Sequence, residues 1–260
     1  VPRVAPSLVC RVEVRGRCLY AGAFGWLDPE IRARRVQPDS LFDLASLTKL
    51  FTAAAFLRAV DTGLIGLDQP LAAVLPEFGG VRPIGGGEDP LAKTPLPADA
   101  SRDGEVVDAD RVTFRHLLTH TSGLPAWRSV YAHCGPPPHL PLTDAAVDQR
   151  QENALAALVA YPFVAQPGEA HVYSDIGLML LGFAVARLSG MGRLDRAIAA
   201  LVTDPLDLHV RFCPPAGARA NIAPTEHCAW RDRRLRGEVH DENAAGLGGV
   251  AGHAGLFGSG

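Results

Sequence analysis

A serine and a lysine stand three residues apart in the stretch Ser46-Leu47-Thr48-Lys49. In a helix, residues i and i+3 share one face, so the Lys49 side chain can reach the Ser46 hydroxyl. A serine hydroxyl becomes a useful nucleophile when a neighbouring base removes its proton, and a lysine buried among apolar side chains can be that base. The chain has only two lysines, Lys49 and Lys93, so this spacing is not expected from composition alone. The stretch predicts nucleophilic catalysis at Ser46; the alternative is that Lys49 is an ordinary surface lysine.

A second candidate group is Tyr173-Ser174-Asp175. A phenol acts as a base at neutral pH only beside positive charge, which Lys49 is able to supply. Tyr173 and Lys49 would then share the proton transfers. The alternative for Tyr173, taken alone, is a half-buried packing residue.

Two apolar helices are predicted to position these groups. The first runs from Ser46 to about Asp61, with Gly63 as its stop, and the second runs from about Asp175 to Leu188. Both are apolar nearly all round, which predicts that both are buried. Backbone N–H groups at the start of the first helix would face an oxyanion that develops beside Ser46.

Further elements frame these two helices. Apolar residues alternate over 8–14, a turn follows at 15–17, and residues 18–24 return, which predicts a β-hairpin. A short helix capped by Thr113 is predicted to reach His120, and further helices are predicted at about 143–160 and 194–202.

Two segments lack a regular pattern. Residues 79–110 are rich in Gly, Pro and Asp and predict a long, mobile surface excursion. From Gly246 the chain becomes rich in glycine and then stops. Because a compact domain seldom ends in its most flexible stretch, we expect that C-terminal residues are missing.

The composition excludes several classes of function. The chain has 260 residues, 47% hydrophobic and 20% charged, with a net charge of −3 and no basic run longer than 231–236. A nucleic-acid partner is therefore not expected. No apolar run approaches the ~20 residues of a membrane span.

The cysteines and histidines do not indicate a metal site. Five cysteines without zinc-ligand spacing favour reduced thiols and a cytoplasmic location. A Cys10–Cys18 bridge is the alternative for the thiols, and a periplasmic or extracellular location after removal of a signal peptide is the alternative for the compartment. The pair His116 and His120 is interpreted as structural, and His240-Asp241-Glu242 as a polar loop whose three side chains diverge.

Several stretches, in order along the chain, resemble one family. They are Gly22-Ala23-Phe24-Gly25, Leu41-Phe42-Asp43-Leu44-Ala45-Ser46-Leu47-Thr48-Lys49, Leu117-Leu118-Thr119-His120-Thr121-Ser122-Gly123-Leu124-Pro125, Tyr173-Ser174-Asp175 and Gly249-Val250-Ala251-Gly252-His253-Ala254-Gly255-Leu256-Phe257. Together they resemble the serine β-lactamase and penicillin-binding-protein superfamily, and within it the class C β-lactamase-like hydrolases and esterases.

The resemblance implies an α+β fold: an antiparallel β-sheet flanked by helices plus an all-helical region, within a single domain over 1–260. The α/β part is expected at roughly 1–62 and 205–260, and the helical part at roughly 63–204. The resemblance also implies an acyl-enzyme on Ser46, proton transfer by Lys49 and Tyr173, substrate binding by Asp175, and no cofactor or metal.

The sequence departs from the family pattern at two points. Asp175 stands where the family usually has Asn, and a carboxylate beside Lys49 would hold the ammonium charged, which shifts the base role toward Tyr173. The family's third motif, Lys-Thr-Gly or His-x-Gly, is either His253-Ala254-Gly255 or lies beyond residue 260, and we favour the latter.

The expected activity is that of a serine hydrolase on an ester or amide. The family suggests a small ester, a β-lactam, a D-Ala peptide or a muramyl peptide, so the partner is a small-molecule or cell-wall-derived substrate; the oligomeric state stays open. The alternative is a non-catalytic, penicillin-binding-like sensor module, motivated by Asp175 and the third motif. A purely structural domain is the remaining alternative.

Overall fold

A computed structural model describes residues 5–259 of the chain. It opens with the predicted hairpin, in which strand β1 (Ser7–Val14) pairs antiparallel with strand β2 (Arg17–Gly25). The turn between them places Arg15 and Gly16 at φ values of 51° and 74°. Glycine adopts this left-handed region without steric cost, which explains the tight connection.

The remaining strands are short. They are β3 (Phe42–Asp43), β4 (Val81–Pro83), β5 (Val106–Asp108), β6 (Arg211–Phe212), β7 (His227–Cys228), β8 (Arg233–Arg234) and β9 (Leu256–Gly258). Strand β9 lies between β3 and β6 in a small antiparallel sheet, while β4 pairs with β5 and β7 pairs with β8. Strand β3 thus joins the chain just before Ser46 to the glycine-rich segment at the other end of the sequence.

Six α-helices lie within the described residues. They are α1 (Thr48–Asp61), α2 (Phe114–Leu118), α3 (Asp144–Ala160), α4 (Asp175–Leu188), α5 (Leu194–Ile198) and α6 (Glu242–Gly246). Side-chain caps from Thr113, Thr143 and Ser174 begin α2, α3 and α4. Each cap satisfies an N–H group that has no partner inside the helix, so these boundaries follow from local sequence. No helix in residues 5–259 has the length and apolar character needed to cross a membrane.

Helices α1 and α4 differ in how far they are buried. Ten of the fourteen residues of α4 are buried, as predicted. The prediction that α1 is buried all round is wrong, because Leu50 and Leu57 are 65% and 47% exposed. The buried side of α1 instead includes Lys49 and Thr52, since these polar groups have partners inside the fold.

The segment 79–110 is more ordered than its composition suggests. Strands β4 and β5 pair within it, and Val107 and Ala109 have no exposed surface. Arg82 is also buried, and its guanidinium donates to the carbonyls of Val159 and Tyr161 at the end of α3. The expectation of a purely superficial excursion is therefore wrong for these residues, because long-range contacts replace the missing local pattern.

The glycine-rich stretch from Gly246 is likewise not loose. Its residues are buried up to Gly258, and Leu256 to Gly258 form the central strand of the three-stranded sheet. Close approach of backbones, rather than flexibility, is the reason for the glycines here.

All five cysteines are free, so the structure contains no Cys10–Cys18 bridge. Burial raises the pKa of Cys134 and of Cys213 to about 11, with small opposing contributions from nearby arginines. Both thiols are therefore protonated and inert at neutral pH.

Candidate active site

Ser46 lies on a 3-10 turn, Ala45–Leu47, between strand β3 and helix α1. Ala45 has a φ of 45°, a left-handed conformation that is unusual for a residue with a side chain. The Asp43 carboxylate accepts a hydrogen bond of 2.9 Å from the Ala45 N–H and holds this turn. Burial raises the pKa of Asp43, while hydrogen bonds from the backbone of His240 and Ala45 oppose that shift. The turn leaves Ser46 exposed at the surface.

Lys49 is buried directly behind the serine, with 7% of its surface exposed. Its Nζ lies 2.7 Å from Ser46 Oγ and 2.8 Å from Asp175 Oδ1. It also donates to the carbonyl oxygen of His253 at 3.4 Å. A buried amine that contacts an exposed hydroxyl is the arrangement that proton transfer from serine requires.

Tyr173 covers the other side of this amine. Lys49 Nζ lies 4.7 Å from the centre of the Tyr173 ring, and half of the tyrosine surface is exposed. The Lys49 amine thus contacts the aromatic ring of Tyr173, the geometry of a cation–π contact. The structure thus brings together all four residues proposed from sequence, although α1 and α4 are more than a hundred residues apart.

The start of α4 determines where Tyr173 and Asp175 lie. Ser174 Oγ accepts from the Gly177 N–H at 3.0 Å and donates to the Pro125 carbonyl at 2.7 Å. The Asp175 N–H donates to the Ala126 carbonyl at 2.9 Å. The turn after α2 therefore anchors the beginning of α4, and Asp175 is placed in its first turn, where a carboxylate is also favoured by the helix dipole.

His120 belongs to this group and was interpreted from sequence only as structural. Its Nδ1 accepts a hydrogen bond of 3.1 Å from the Ser174 N–H, and its ring centre lies 4.6 Å from that of Tyr173. His116, by contrast, accepts from the Thr113 N–H in the capping box of α2. The i, i+4 spacing led to one interpretation for both histidines. The position of His120 in the turn beside Ser122-Gly123, after the helix that carries His116, was the feature of the sequence that distinguished it.

His253 contacts Lys49 through its backbone carbonyl and Asp241 through its ring. The His253 ring is 1% exposed, and its Nε2 lies 2.9 Å from Asp241 Oδ1. Burial raises the pKa of Asp241, but the charge and hydrogen bond of His253 and the Ala244 N–H outweigh it and lower the pKa to about 2. His253 belongs to the third-motif candidate His253-Ala254-Gly255. Its imidazole contacts Asp241, and its backbone carbonyl contacts Lys49.

The side chains of His240, Asp241 and Glu242 diverge, as expected. His240 contacts Thr225, Asp241 contacts His253, and Glu242 contacts Lys93. Residues 5–259 contain no cluster of three or more His, Cys, Asp or Glu side chains able to hold a metal ion.

Comparison with known proteins shows the family of this chain. A family model described as Beta-lactamase matches residues 2–260. The chain belongs to the beta-lactamase family. Esterase EstB from Burkholderia gladioli is 36% identical over 206 residues, which are 77% of this chain and 45% of the esterase. A putative D-alanyl-D-alanine carboxypeptidase from Salmonella schwarzengrund is 30% identical over 242 residues, 86% of this chain and 49% of that protein.

Solved structures show the same fold. The octameric penicillin-binding protein homologue from Pyrococcus abyssi has a TM-score of 0.67 and 24% identity, covering 99% of this chain and 50% of its own. The class C beta lactamase from Rhodobacter sphaeroides has a TM-score of 0.62 and 21% identity, covering 98% and 57%. The predicted α+β fold of the beta-lactamase family is thereby confirmed. This chain spans about half the length of the curated relatives it matches.

Proposed function

We propose that the protein is a serine hydrolase that cleaves an ester or amide through an acyl-enzyme on Ser46. The observation that carries this proposal is the 2.7 Å contact between Lys49 Nζ and Ser46 Oγ. A hydroxyl that is exposed to substrate and hydrogen-bonded to a buried amine has the two properties of an activated nucleophile. Membership of the beta-lactamase family supports the same reaction class.

The four residues receive distinct roles in this proposal. Lys49 in its amine form accepts the Ser46 proton as Oγ attacks the substrate carbonyl, and Tyr173 relays that proton from Lys49 to the leaving group as its bond to the acyl carbon breaks. Asp175 holds Lys49 in place and contacts substrate. The backbone N–H of Ser46, at the start of the turn that leads into α1, donates to the developing oxyanion. Water then releases the acyl group.

We infer a single domain with two parts, an α/β part over roughly 1–62 and 205–260 and a helical part over roughly 63–204. Ser46 and Lys49 come from the first part, and Tyr173 and Asp175 come from the second. The proposed site therefore lies at the junction of the two parts, where substrate enters from the exposed side of Ser46.

The substrate classes we propose are small esters first, then D-Ala peptides, β-lactams and muramyl peptides. The relative with 36% identity is named an esterase, and the relatives with 30% identity are named putative carboxypeptidases. Tyr173 is half-exposed and Asp175 is partly exposed, so a substrate that approaches Ser46 can contact both side chains.

Labelling of intact protein tests the nucleophile. Full-length protein and its Ser46→Ala variant are incubated with a fluorophosphonate and with a penicillin, and the mass is followed over time. We expect adducts on the parent protein and none on Ser46→Ala. Hydrolysis of p-nitrophenyl esters, a D-Ala-D-Ala peptide and a chromogenic β-lactam then ranks the substrates. A folded protein that forms no adduct would contradict the acyl-enzyme.

A second function, a penicillin-binding-like module that does not turn over, is favoured by one observation. Asp175 Oδ1 lies 2.8 Å from Lys49 Nζ and stabilises the charged ammonium, which cannot accept a proton. Such a module would form the Ser46 adduct and keep it, whereas an enzyme would lose the adduct with time. The same labelling experiment therefore separates the two functions.

A further inference from the structure

The His120 side chain contacts the ring of Tyr173. Its ring lies 4.6 Å from the Tyr173 ring, centre to centre, at an angle of 36°. Lys49 Nζ lies 4.7 Å from the centre of the same tyrosine ring. Tyr173 thus contacts both the imidazole of His120 and the amine of Lys49 through its ring.

The backbone contacts of His120 strengthen this link. Its Nδ1 accepts from the N–H of Ser174, and its carbonyl accepts from the N–H of Val172 at 2.8 Å. These two bonds flank Tyr173 on either side along the chain. His120 itself has a φ of 57°, a strained conformation for a residue with a side chain, and such strain is characteristic of functional positions.

The direction of the hydrogen bond defines the protonation state. Because Nδ1 accepts the Ser174 N–H, it carries no proton, and the imidazole is neutral with its proton on Nε2. A protonated ring would present a second donor to Ser174 N–H, and the hydrogen bond would be lost.

We propose that neutral His120 is a positioning residue that holds Tyr173 beside Lys49, and that protonation of His120 disengages Tyr173 and slows acylation of Ser46. This inference rests on the proposed function, because it assigns a pH-dependent support to the tyrosine that is proposed to move protons there.

The charges around His120 favour the neutral form. His171, whose ring centre lies 5.9 Å away, and Lys49 face it from two elements, and Asp175 faces it from the start of α4. Burial, then His171 and Lys49, lower the pKa of His120, while Asp175 opposes them. His116, on the helix that precedes His120, is engaged with Thr113. An ordinary histidine has a pKa near 6.5. We therefore expect the acylation rate to fall on the acid side, through protonation of His120, only below that pH; this fall is the acid limb of the pH profile.

The test compares acylation rates between pH 4.5 and 8 in full-length protein and three variants. His120→Asn keeps an acceptor for Ser174 and tolerates the left-handed backbone, but it does not titrate. We expect the acylation rate of this variant at pH 8 to stay within about tenfold of the parent rate. On the acid side, the slope of the logarithm of the rate against pH should decrease by one, because one titrating group has been removed. His171→Gln removes a neighbour that lowers the pKa of His120, so it should move the limb to higher pH. His116→Asn, whose histidine also accepts a backbone N–H but does not touch Tyr173, should leave the profile unchanged.

Nitrogen-15 spectra of the imidazoles provide a readout that does not depend on activity. We expect His120 to show an unprotonated Nδ1 at neutral pH and to titrate at the pH of the acid limb. In His171→Gln, the midpoint of the His120 titration and the midpoint of the acid limb should shift by the same amount. A limb of the same shape and midpoint in His120→Asn, or a His120 titration that leaves acylation unaffected, would overturn the inference. Absence of any Ser46 adduct at every pH would instead refute the proposed function.

Discussion

At the scale of single residues, the site depends on a charge pair that is largely removed from water. The side chains of Lys49 and Asp175 are 8% and 21% exposed, and their charged atoms are 2.8 Å apart. Such a pair contributes little net stability because both ions lose hydration, yet removing one partner leaves the other ion uncompensated. Stability and chemistry are therefore coupled at Lys49.

A double-mutant cycle measures that coupling. Lys49→Met should lower the free energy of unfolding by about 3 kcal/mol, because it leaves the largely buried Asp175 carboxylate without a counter-charge. It should also slow Ser46 acylation by about 10²- to 10⁴-fold, because it removes the amine proposed as the base. Adding Asp175→Asn should restore part of the stability and none of the rate. Urea titration and adduct formation are the two measurements.

The exposed pair Arg58–Asp61, with side chains 57% and 72% exposed, is the control for that cycle. Its coupling energy should not exceed about 0.5 kcal/mol. Strictly additive effects of Lys49→Met and Asp175→Asn would show that the two charges do not interact in solution.

At the scale of elements, the buried Arg82 attaches the segment 79–110, which has no regular hydrophobic pattern, to the end of helix α3. The Arg82 guanidinium lies between the rings of Phe78 and Phe163, at 4.4 and 4.5 Å from their centres. It donates to the carbonyls of Val159 and Tyr161, which have no partner inside α3 after the helix ends. Burial lowers the pKa of Arg82 to about 10, so the group stays charged at neutral pH.

Arg82→Met tests whether this contact secures the end of α3. The substitution keeps most of the apolar volume but leaves buried carbonyls without donors, so it should cost about 2–3 kcal/mol of unfolding free energy. The exposed Arg111→Met should change it by less than about 0.5 kcal/mol. Equal effects of the two substitutions in thermal or urea unfolding would contradict a structural role for Arg82.

At the scale of the whole molecule, the glycine-rich segment from Gly246 joins helices α1 and α4. Gly252 faces α4, where a Cβ would lie 2.0 Å from the Leu178 carbonyl, and Gly182 of α4 is the facing glycine. On the other side, Thr52 Oγ1 of α1 donates to the Gly252 carbonyl at 2.8 Å. The segment thus sets the spacing between the helix that carries Lys49 and the helix that begins at Asp175.

Gly252→Ala should therefore disturb both the fold and the site. The added methyl group requires a backbone shift, with an expected cost of about 3 kcal/mol and slower acylation of the folded fraction. Gly217→Ala is the matched control, since a Cβ there would meet nothing within 4 Å. If both variants unfold at the same urea concentration as the parent, the close approach at Gly252 does not determine the helix spacing.

Local sequence was sufficient for much of this protein. The hairpin, the caps from Thr113, Thr143 and Ser174, and the bounds of α4 follow from patterns that span only a few residues. The Ser46–Lys49 contact is also local, because i, i+3 spacing on a helical turn brings the two side chains together.

Only the tertiary structure decided which distant groups meet. Asp175 approaches Lys49, His120 supports Tyr173, and Asp241 pairs with His253 across separations that no periodicity records. Leu50 lies in an apolar stretch of sequence and is nevertheless exposed. An apolar residue is buried only where another element covers it, which the local sequence does not record. Capping and periodicity depend on neighbours along the chain, whereas burial and ion pairing depend on neighbours in space.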